Sequence, residues 1–94
     1  MEFLLQAEEL KVTGPDSVEL MRAQIDAVDD AIIELILVRT QLSLHLQTAR
    51  ISAGGPRVVL SRERAIRSRY LAALGTPGTG VADAVLRVCR GSAG

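Results

Sequence analysis

The sequence predicts an all-α protein, a three-helix chain with one long N-terminal helix. Two observations carry this fold class. The stretch from Ser17 to Ala53 contains no glycine and no proline, so nothing in it interrupts a helix. Apolar residues then recur at helical spacing in this stretch and in two shorter segments that follow it. The chain has 94 residues, 48% of them apolar and 2% aromatic, which fits one small helical domain.

The first element is an N-terminal segment, residues 1–15, that we expect to be flexible. An apolar cluster, Phe3-Leu4-Leu5, is followed by acidic residues. Such a stretch is either a frayed, loosely docked short helix or a disordered tail. Because it lacks a basic start, we do not expect it to be a targeting sequence. We place the helical domain at residues 16–90 and a second flexible tail at residues 91–94.

The long helix has recognisable ends. Asp16-Ser17-Val18-Glu19 has the pattern of a capping box, and Gly54-Gly55 is typical of a helix stop. A helix of roughly 35 residues is about 50 Å long, which exceeds the diameter of a compact domain of this size. One chain cannot cover its apolar face, so we expect a partner, most simply a second copy.

The second helix is predicted to begin at Ser61, a good N-cap residue, and to end at Leu74 before Gly75. Ile66, Tyr70 and Leu74 recur every four residues and are its expected buried stripe.

The third helix is predicted to run from about Val81 to Arg90 after a flexible glycine-rich connection, residues 75–80. Val81, Val85 and Val88 share one side of this helix, and we expect them to be buried.

Charge is distributed unevenly along the chain. Residues 1–34 contain nine acids and two bases, whereas residues 35–94 contain two acids and nine bases. This asymmetry is compatible with a nucleic-acid surface, but no aromatic residue is interleaved with the bases and Lys11 is the only lysine. We therefore expect no nucleic-acid partner.

Cys89 is the only cysteine, which argues against a disulfide framework and a zinc-ligand spacing. Together with the lack of a signal sequence, this indicates a cytoplasmic protein. No segment has the length and apolar character of a membrane span, so we expect no membrane association.

The long helix carries arginines where a coiled-coil-like seam normally has isoleucine or leucine. Counting heptads from Arg22 gives two adjacent rows: Arg22, Asp29, Ile36, Ser43 and Arg50, beside Ile25, Ile32, Arg39 and Leu46. A buried guanidinium without a partner is costly, and Asp29 is the only acid in these rows. Either a small ligand with more than one carboxylate completes the charge balance, or the arginines pair with acids of a partner helix and set its register.

The order and spacing of these residues resemble the all-helical chorismate mutase family. The resemblance covers about Val18 to Tyr70 and rests on the following residues: Arg22-x-x-Ile25-x-x-x-Asp29, Arg39, Arg50, Pro56 and Arg62-Glu63. The Gly-Gly loop, the apolar Val59 and the Arg-Gly ending are most similar to the small actinobacterial intracellular members.

This resemblance implies an intertwined helical-bundle homodimer in which each active site takes one arginine from the other chain. Arg22 matches that position. Arg39 matches the main arginine for the substrate carboxylates, and Arg50 matches the basic residue that reaches the ether oxygen. Arg62 matches a further pocket arginine, and Glu63 the acceptor for the hydroxyl on ring carbon C4.

The implied reaction suits such a residue set. Conversion of chorismate to prephenate is a pericyclic rearrangement and requires no nucleophile, general base, metal or cofactor. The enzyme must hold a flexible dianion in a compact chair-like conformer and stabilise negative charge that grows on the ether oxygen. Fixed arginine side chains can do both.

Two departures from the family pattern affect the expected activity. Val59 stands where many members carry an acid, and the chain ends before positions at which longer members place a Ser and a Gln. We therefore expect weak activity alone. The resemblance to the small members implies activation in a complex with 3-deoxy-D-arabino-heptulosonate 7-phosphate (DAHP) synthase, for which the tail from Arg90 onward would reorganise.

Two other functions stay open. The same fold could act on 4-amino-4-deoxychorismate or release pyruvate from isochorismate. The chain could also be a non-catalytic helical dimerisation module.

Overall fold

The computed structural model describes residues 15–55 and 59–90. These residues form three helices, which we name α1 (Pro15–Ser52), α2 (Leu60–Leu74) and α3 (Gly78–Arg90), and they contain no strand. The all-α prediction with one long N-terminal helix is therefore confirmed. The predicted flexible tail at residues 91–94, and the N-terminal segment up to residue 14, lie outside the described residues. Within the described ranges, no helix combines the length and hydropathy needed to cross a membrane.

The chain divides into two compact units, Met1–Leu35 and Ile36–Gly94, and α1 contributes residues to both. In the first unit, α1 begins at Pro15, two residues before the predicted start. Proline suits the first helical position because its missing N–H would have no helical partner there. Asp16 consequently lies inside the first turn, where its charge favours the helix dipole, and the predicted capping box is wrong.

The end of α1 in the second unit confirms the predicted glycine stop. Gly54 has a φ of +83°, a conformation that glycine adopts without steric cost. The N–H of Gly54 donates to the carbonyl of Ile51 at 2.9 Å, and the N–H of Gly55 donates to the carbonyl of Arg50 at 2.8 Å. These two bonds form a Schellman motif. The last turn of α1, which contains Arg50, is thereby anchored through its backbone.

The start of α2 differs from the prediction. The N-cap residue is Val59, whose side chain makes no capping hydrogen bond, and the helix begins at Leu60. Its first turn is closed by the backbone, because the Val59 carbonyl accepts the N–H of Glu63 at 3.1 Å. Ser61 is therefore a helical residue, and its predicted N-cap role is wrong.

Helices α2 and α3 form a tight antiparallel hairpin. The N–H of Gly75 donates to the Leu71 carbonyl at 2.9 Å and ends α2. Helix α3 then begins at Gly78, three residues before the predicted start, so the flexible connection is shorter than predicted. A Cβ atom at Gly78 would lie 2.3 Å from the carbonyl oxygen of Tyr70. Only glycine allows this approach of the two backbones.

The buried face of α3 is not the predicted valine stripe. Val81 is 43% exposed and Val88 is 56% exposed, whereas Val85, between them, is half-buried. The buried residues of α3 are Gly78, Ala82, Leu86 and Cys89. Both sets recur at helical spacing, but the second is mostly small and lets α3 lie close against α2. Packing distance therefore selects the face of this helix.

The predicted stripe of α2 is only partly buried. Ile66 is buried, Tyr70 is half-buried and Leu74 is exposed. Burial along this stripe therefore decreases from the middle of α2 toward its C-terminus.

Candidate active site

A cavity of about 250 Å³ lies within the second unit, between the C-terminal half of α1 and the α2–α3 hairpin. Its floor is apolar and formed by Ile66, Leu86 and Cys89, all of them buried. Within residues 15–55 and 59–90, its charged lining consists of four arginines and one glutamate: Arg39, Arg50, Arg62, Arg90 and Glu63. The excess of positive charge makes this cavity suited to an anionic ligand.

Helix α1 supplies one wall of the cavity through residues spaced three or four apart. Arg39, Ser43, Gln47 and Arg50 line the cavity and are all half-buried. Side chains at this spacing lie above one another on the same face of a helix. The predicted seam therefore faces the interior of the second unit along this half of α1.

Arg50 occupies the last turn of α1, where a cation interacts favourably with the helix dipole. Its backbone carbonyl accepts the hydrogen bond from Gly55 described above, at 2.8 Å. The glycine stop thus determines where the helix ends relative to the cavity and where this arginine is presented.

The start of α2 supplies the opposite wall. Val59, Arg62 and Glu63 line the cavity, and they lie at the N-cap and in the first turn of the helix. Because Val59 caps the helix through its backbone, its side chain is available to the cavity as an apolar surface.

The C-terminal end of α3 closes the cavity. The sulfur of Cys89 lies 3.4 Å from Oγ1 of Thr40 on α1. One residue further, Nη2 of Arg90 donates a short hydrogen bond to Oε1 of Glu63. The Nε of Arg90 is buried and has no hydrogen-bond partner among the described residues.

The structure brings together five of the six predicted site residues: Arg39, Arg50, Val59, Arg62 and Glu63 line this one cavity. The sixth, Arg22, belongs to the first unit, where it is exposed and forms an ion pair with Glu19 at 3.3 Å.

Among the residues that line the cavity and were not predicted as site residues, Gln47 and Arg90 have side chains that can bind a polar ligand and lie outside the two heptad rows. Gln47 follows Ser43 by four residues and precedes Arg50 by three, which places it on the same face of α1 as both. A third heptad row, next to the two that were counted, would have predicted it. Arg90 was expected only as the start of the C-terminal ending, and no pattern in the sequence predicted it in the site. Its position depends on the α2–α3 hairpin and on which face of α3 is buried.

Comparison with known proteins identifies the family. Residues 21–90 match the model of a family described as chorismate mutase type II. The chain belongs to this family. The sequence resemblance to all-helical chorismate mutases is thereby confirmed.

Curated family members include two mycobacterial proteins named intracellular chorismate mutase. The protein of Mycolicibacterium smegmatis is 42% identical over 74 residues, which cover 79% of this chain and 71% of the relative. The protein of Mycobacterium tuberculosis is 33% identical over 90 residues, which cover 96% of this chain and 85% of the relative. These similarities support the resemblance to actinobacterial intracellular members.

A solved structure of the family has the same fold. It is a non-covalent complex of DAHP synthase and chorismate mutase from Corynebacterium glutamicum with a bound transition state analog. The match has a TM-score of 0.78 at 32% identity and covers 84% of this chain and 95% of the other.

Proposed function

We propose that this member of the chorismate mutase family catalyses the Claisen rearrangement of chorismate to prephenate in the cavity of the second unit. The observation that carries the proposal is the gathering of Arg39, Arg50, Arg62 and Glu63 around one cavity with a buried apolar floor. Three guanidinium groups can bind a dianion at several points, and the apolar floor limits the access of water to it.

Each residue has a specific proposed role. Arg39, midway along the α1 wall, binds the substrate carboxylates, and Arg62 adds a second cation from the opposite wall. Arg50 stabilises the negative charge that develops on the ether oxygen as the carbon–oxygen bond breaks. Glu63 accepts a hydrogen bond from the C4 hydroxyl, and Val59 contributes an apolar contact beside it.

The mechanism follows from these positions. The two walls hold the two ends of the substrate, so the enolpyruvyl side chain is kept over the ring in the compact conformer that reacts. The backbone of Arg50 is fixed by the hydrogen bonds that end α1, so the position from which its guanidinium reaches the ether oxygen is set before charge appears there. Its interaction is therefore stronger in the transition state than in the ground state, which is the condition for acceleration.

We also propose that the active form is a homodimer. Large apolar side chains are exposed along α1 in the first unit: Val18, Leu20, Met21, Ile25, Ile32, Ile33 and Leu35. In the second unit Leu42 and Leu46 line the cavity and are still exposed. Exposed large apolar side chains in such number are typical of an interaction site. A second copy would cover these residues and contribute its Arg22 to the site.

A complex with DAHP synthase is the second proposed assembly. The support is the similar structure from Corynebacterium glutamicum, which is a non-covalent complex of the two enzymes. We propose that the isolated protein is weakly active and that the synthase raises its activity. The names of the mycobacterial relatives support a cytoplasmic location.

The test is the disappearance of chorismate absorbance with the purified protein, first alone and then with a DAHP synthase from the same source. We expect slow prephenate formation that increases when the synthase is added. If turnover does not change when the synthase is added, the proposed activation is wrong and the proposed mutase activity still holds. The 4-amino analogue and isochorismate are assayed in parallel, and faster conversion of either would reassign the substrate.

The matched variants are Arg39→Ala and Arg87→Ala. Arg87 is an exposed arginine of α3 that does not line the cavity. Arg39→Ala is expected to remain folded and to lose at least about a hundredfold in kcat/KM, since a contact to the reacting dianion is lost. Arg87→Ala is expected to keep its activity. The non-catalytic dimerisation module makes the opposite predictions. In that case Arg39→Ala would unfold or loosen the dimer, and the parent protein would not bind small dicarboxylates.

A further inference from the structure

We infer that Arg90 is a positioning residue of this active site, which neutralises and orients Glu63 so that a dianionic substrate can bind beside a carboxylate. This inference rests on the proposed function. The observation behind it is the hydrogen bond from Nη2 of Arg90 to Oε1 of Glu63 at the wall of the cavity.

The need for such a residue follows from charge. Among the described residues, Glu63 is the only acidic one that lines the cavity, and its proposed task is to accept a hydrogen bond from a ligand that itself carries two negative charges. An isolated carboxylate at this position would repel that ligand. The positive charge of Arg90 offsets the repulsion and still leaves Oε2 of Glu63 for the substrate hydroxyl.

Geometry supports positioning as well as neutralisation. Glu63 lies in the first turn of α2 and Arg90 at the end of α3, so their bond crosses the hairpin. The side chains are partly buried, with 22% and 38% exposure. A carboxylate held through one oxygen by a second helix keeps a narrow range of rotamers, and its other oxygen has a defined direction.

A contribution to stability alone explains this arrangement poorly. The Nε of Arg90 is buried without a partner among the described residues, which is unfavourable for a buried donor. The same hairpin contains a second pair, in which Nε of Arg67 lies 2.8 Å from Oδ1 of Asp83 on an exposed surface. That pair links the two helices without leaving a buried donor unpaired, and it lies outside the cavity lining.

The two pairs allow a matched experiment. The variants Arg90→Met, Glu63→Gln and their combination are compared by steady-state kinetics with chorismate, with Arg67→Met as the control for loss of an α2–α3 ion pair. Thermal melting and oligomeric state of every variant are measured at one protein concentration. Arg90→Lys, which keeps the charge and loses the planar fork, is the conservative variant.

We expect Arg90→Met to lower kcat/KM by about ten- to a hundredfold, mostly through a higher KM, because repulsion acts on binding. In the Glu63→Gln background no carboxylate remains to be neutralised, so the same substitution should cost less than about threefold. Arg90→Lys should recover part of the binding, and Arg67→Met should leave both kinetic constants unchanged.

Equal losses from Arg90→Met in the two backgrounds, or an equal loss from Arg67→Met, would show that Arg90 acts only through the packing of the hairpin. If Arg90→Met fails to fold, Arg90→Lys in the two backgrounds decides the matter in the same way. Absence of turnover by the unmodified protein would instead overturn the proposed function and this inference with it.

Discussion

Oγ1 of Thr40 on α1 and the sulfur of Cys89 on α3 lie 3.4 Å apart, and this contact joins the two helices beside the cavity floor. Cys89 is 1% exposed. Its small side chain lets α3 lie close to α1 at the cavity floor, next to the charged residues of the lining. The width of the cavity therefore depends on the size of residue 89.

Replacing Cys89 by leucine should destabilise the protein. Because Cys89 is buried and lines the cavity, the larger side chain must displace one of the helices or occupy part of the cavity, and we expect a cost of about 1–3 kcal/mol. The free energy of unfolding in urea, measured at a fixed protein concentration, tests this expectation. Thr40→Val is the control. It removes the hydrogen-bonding group and keeps the volume, so its cost should be below about 1 kcal/mol. A larger loss for Thr40→Val than for Cys89→Leu would contradict the packing argument.

Gly78→Ala should be among the most destabilising single substitutions in the hairpin. The added methyl group would lie 2.3 Å from the Tyr70 carbonyl oxygen, so α3 would have to move away from α2. We expect a loss of more than about 2 kcal/mol in unfolding free energy. Gly80→Ala is the matched control, because a Cβ at Gly80 meets nothing within 4 Å. That variant should be neutral or slightly stabilising, since alanine is the better helix former. Equal melting temperatures for the two variants would be inconsistent with the close approach.

Gly54→Ala should lower both stability and activity. Alanine at a φ of +83° is strained by about 1 kcal/mol, and relief of the strain would disturb the two bonds that end α1 at Arg50. Gly54→Asn is the control, because asparagine tolerates this conformation better. We expect the activity of the asparagine variant to lie between those of the parent and the alanine variant. Thermal melting and kcat of the three proteins provide the measurement.

Arg22 can be tested by mixing two inactive proteins. If each site combines Arg50 of one chain with Arg22 of the other, Arg22→Ala and Arg50→Ala homodimers are both defective. A hybrid of one chain of each kind contains one intact site. After unfolding and joint refolding in equal amounts, half of the dimers are hybrids, and the mixture should regain about a quarter of the parent activity. Mixing without joint refolding is the control. A refolded mixture no more active than its components would mean that Arg22 does not complete a neighbouring site.

Local features of the chain were predictable from the sequence. The course of α1 follows from an uninterrupted helical pattern, and its end follows from a glycine pair that can adopt positive φ. Arg39 and Arg50 stood out because charged residues interrupt an apolar heptad pattern at positions that a helix places on one face. Arg62 and Glu63 were predicted from the spacing of the family motif. That spacing relates site residues that lie on different helices, whereas helical periodicity relates only residues of the same helix.

Tertiary structure decided the features that depend on how closely two elements approach. The pattern of α3 contains a valine stripe and a stripe of small residues, and both have helical period. Only the backbone contact between Gly78 and Tyr70 selects the second stripe as the buried one. That choice turns Cys89 toward α1 and brings Arg90 to Glu63.

The sequence by itself therefore determined the helices and most of the charged residues of the site, because periodicity and backbone propensity are local. The packing of the hairpin decided which face of α3 joins the site, because contact distance between two helices is not encoded in the period of either one.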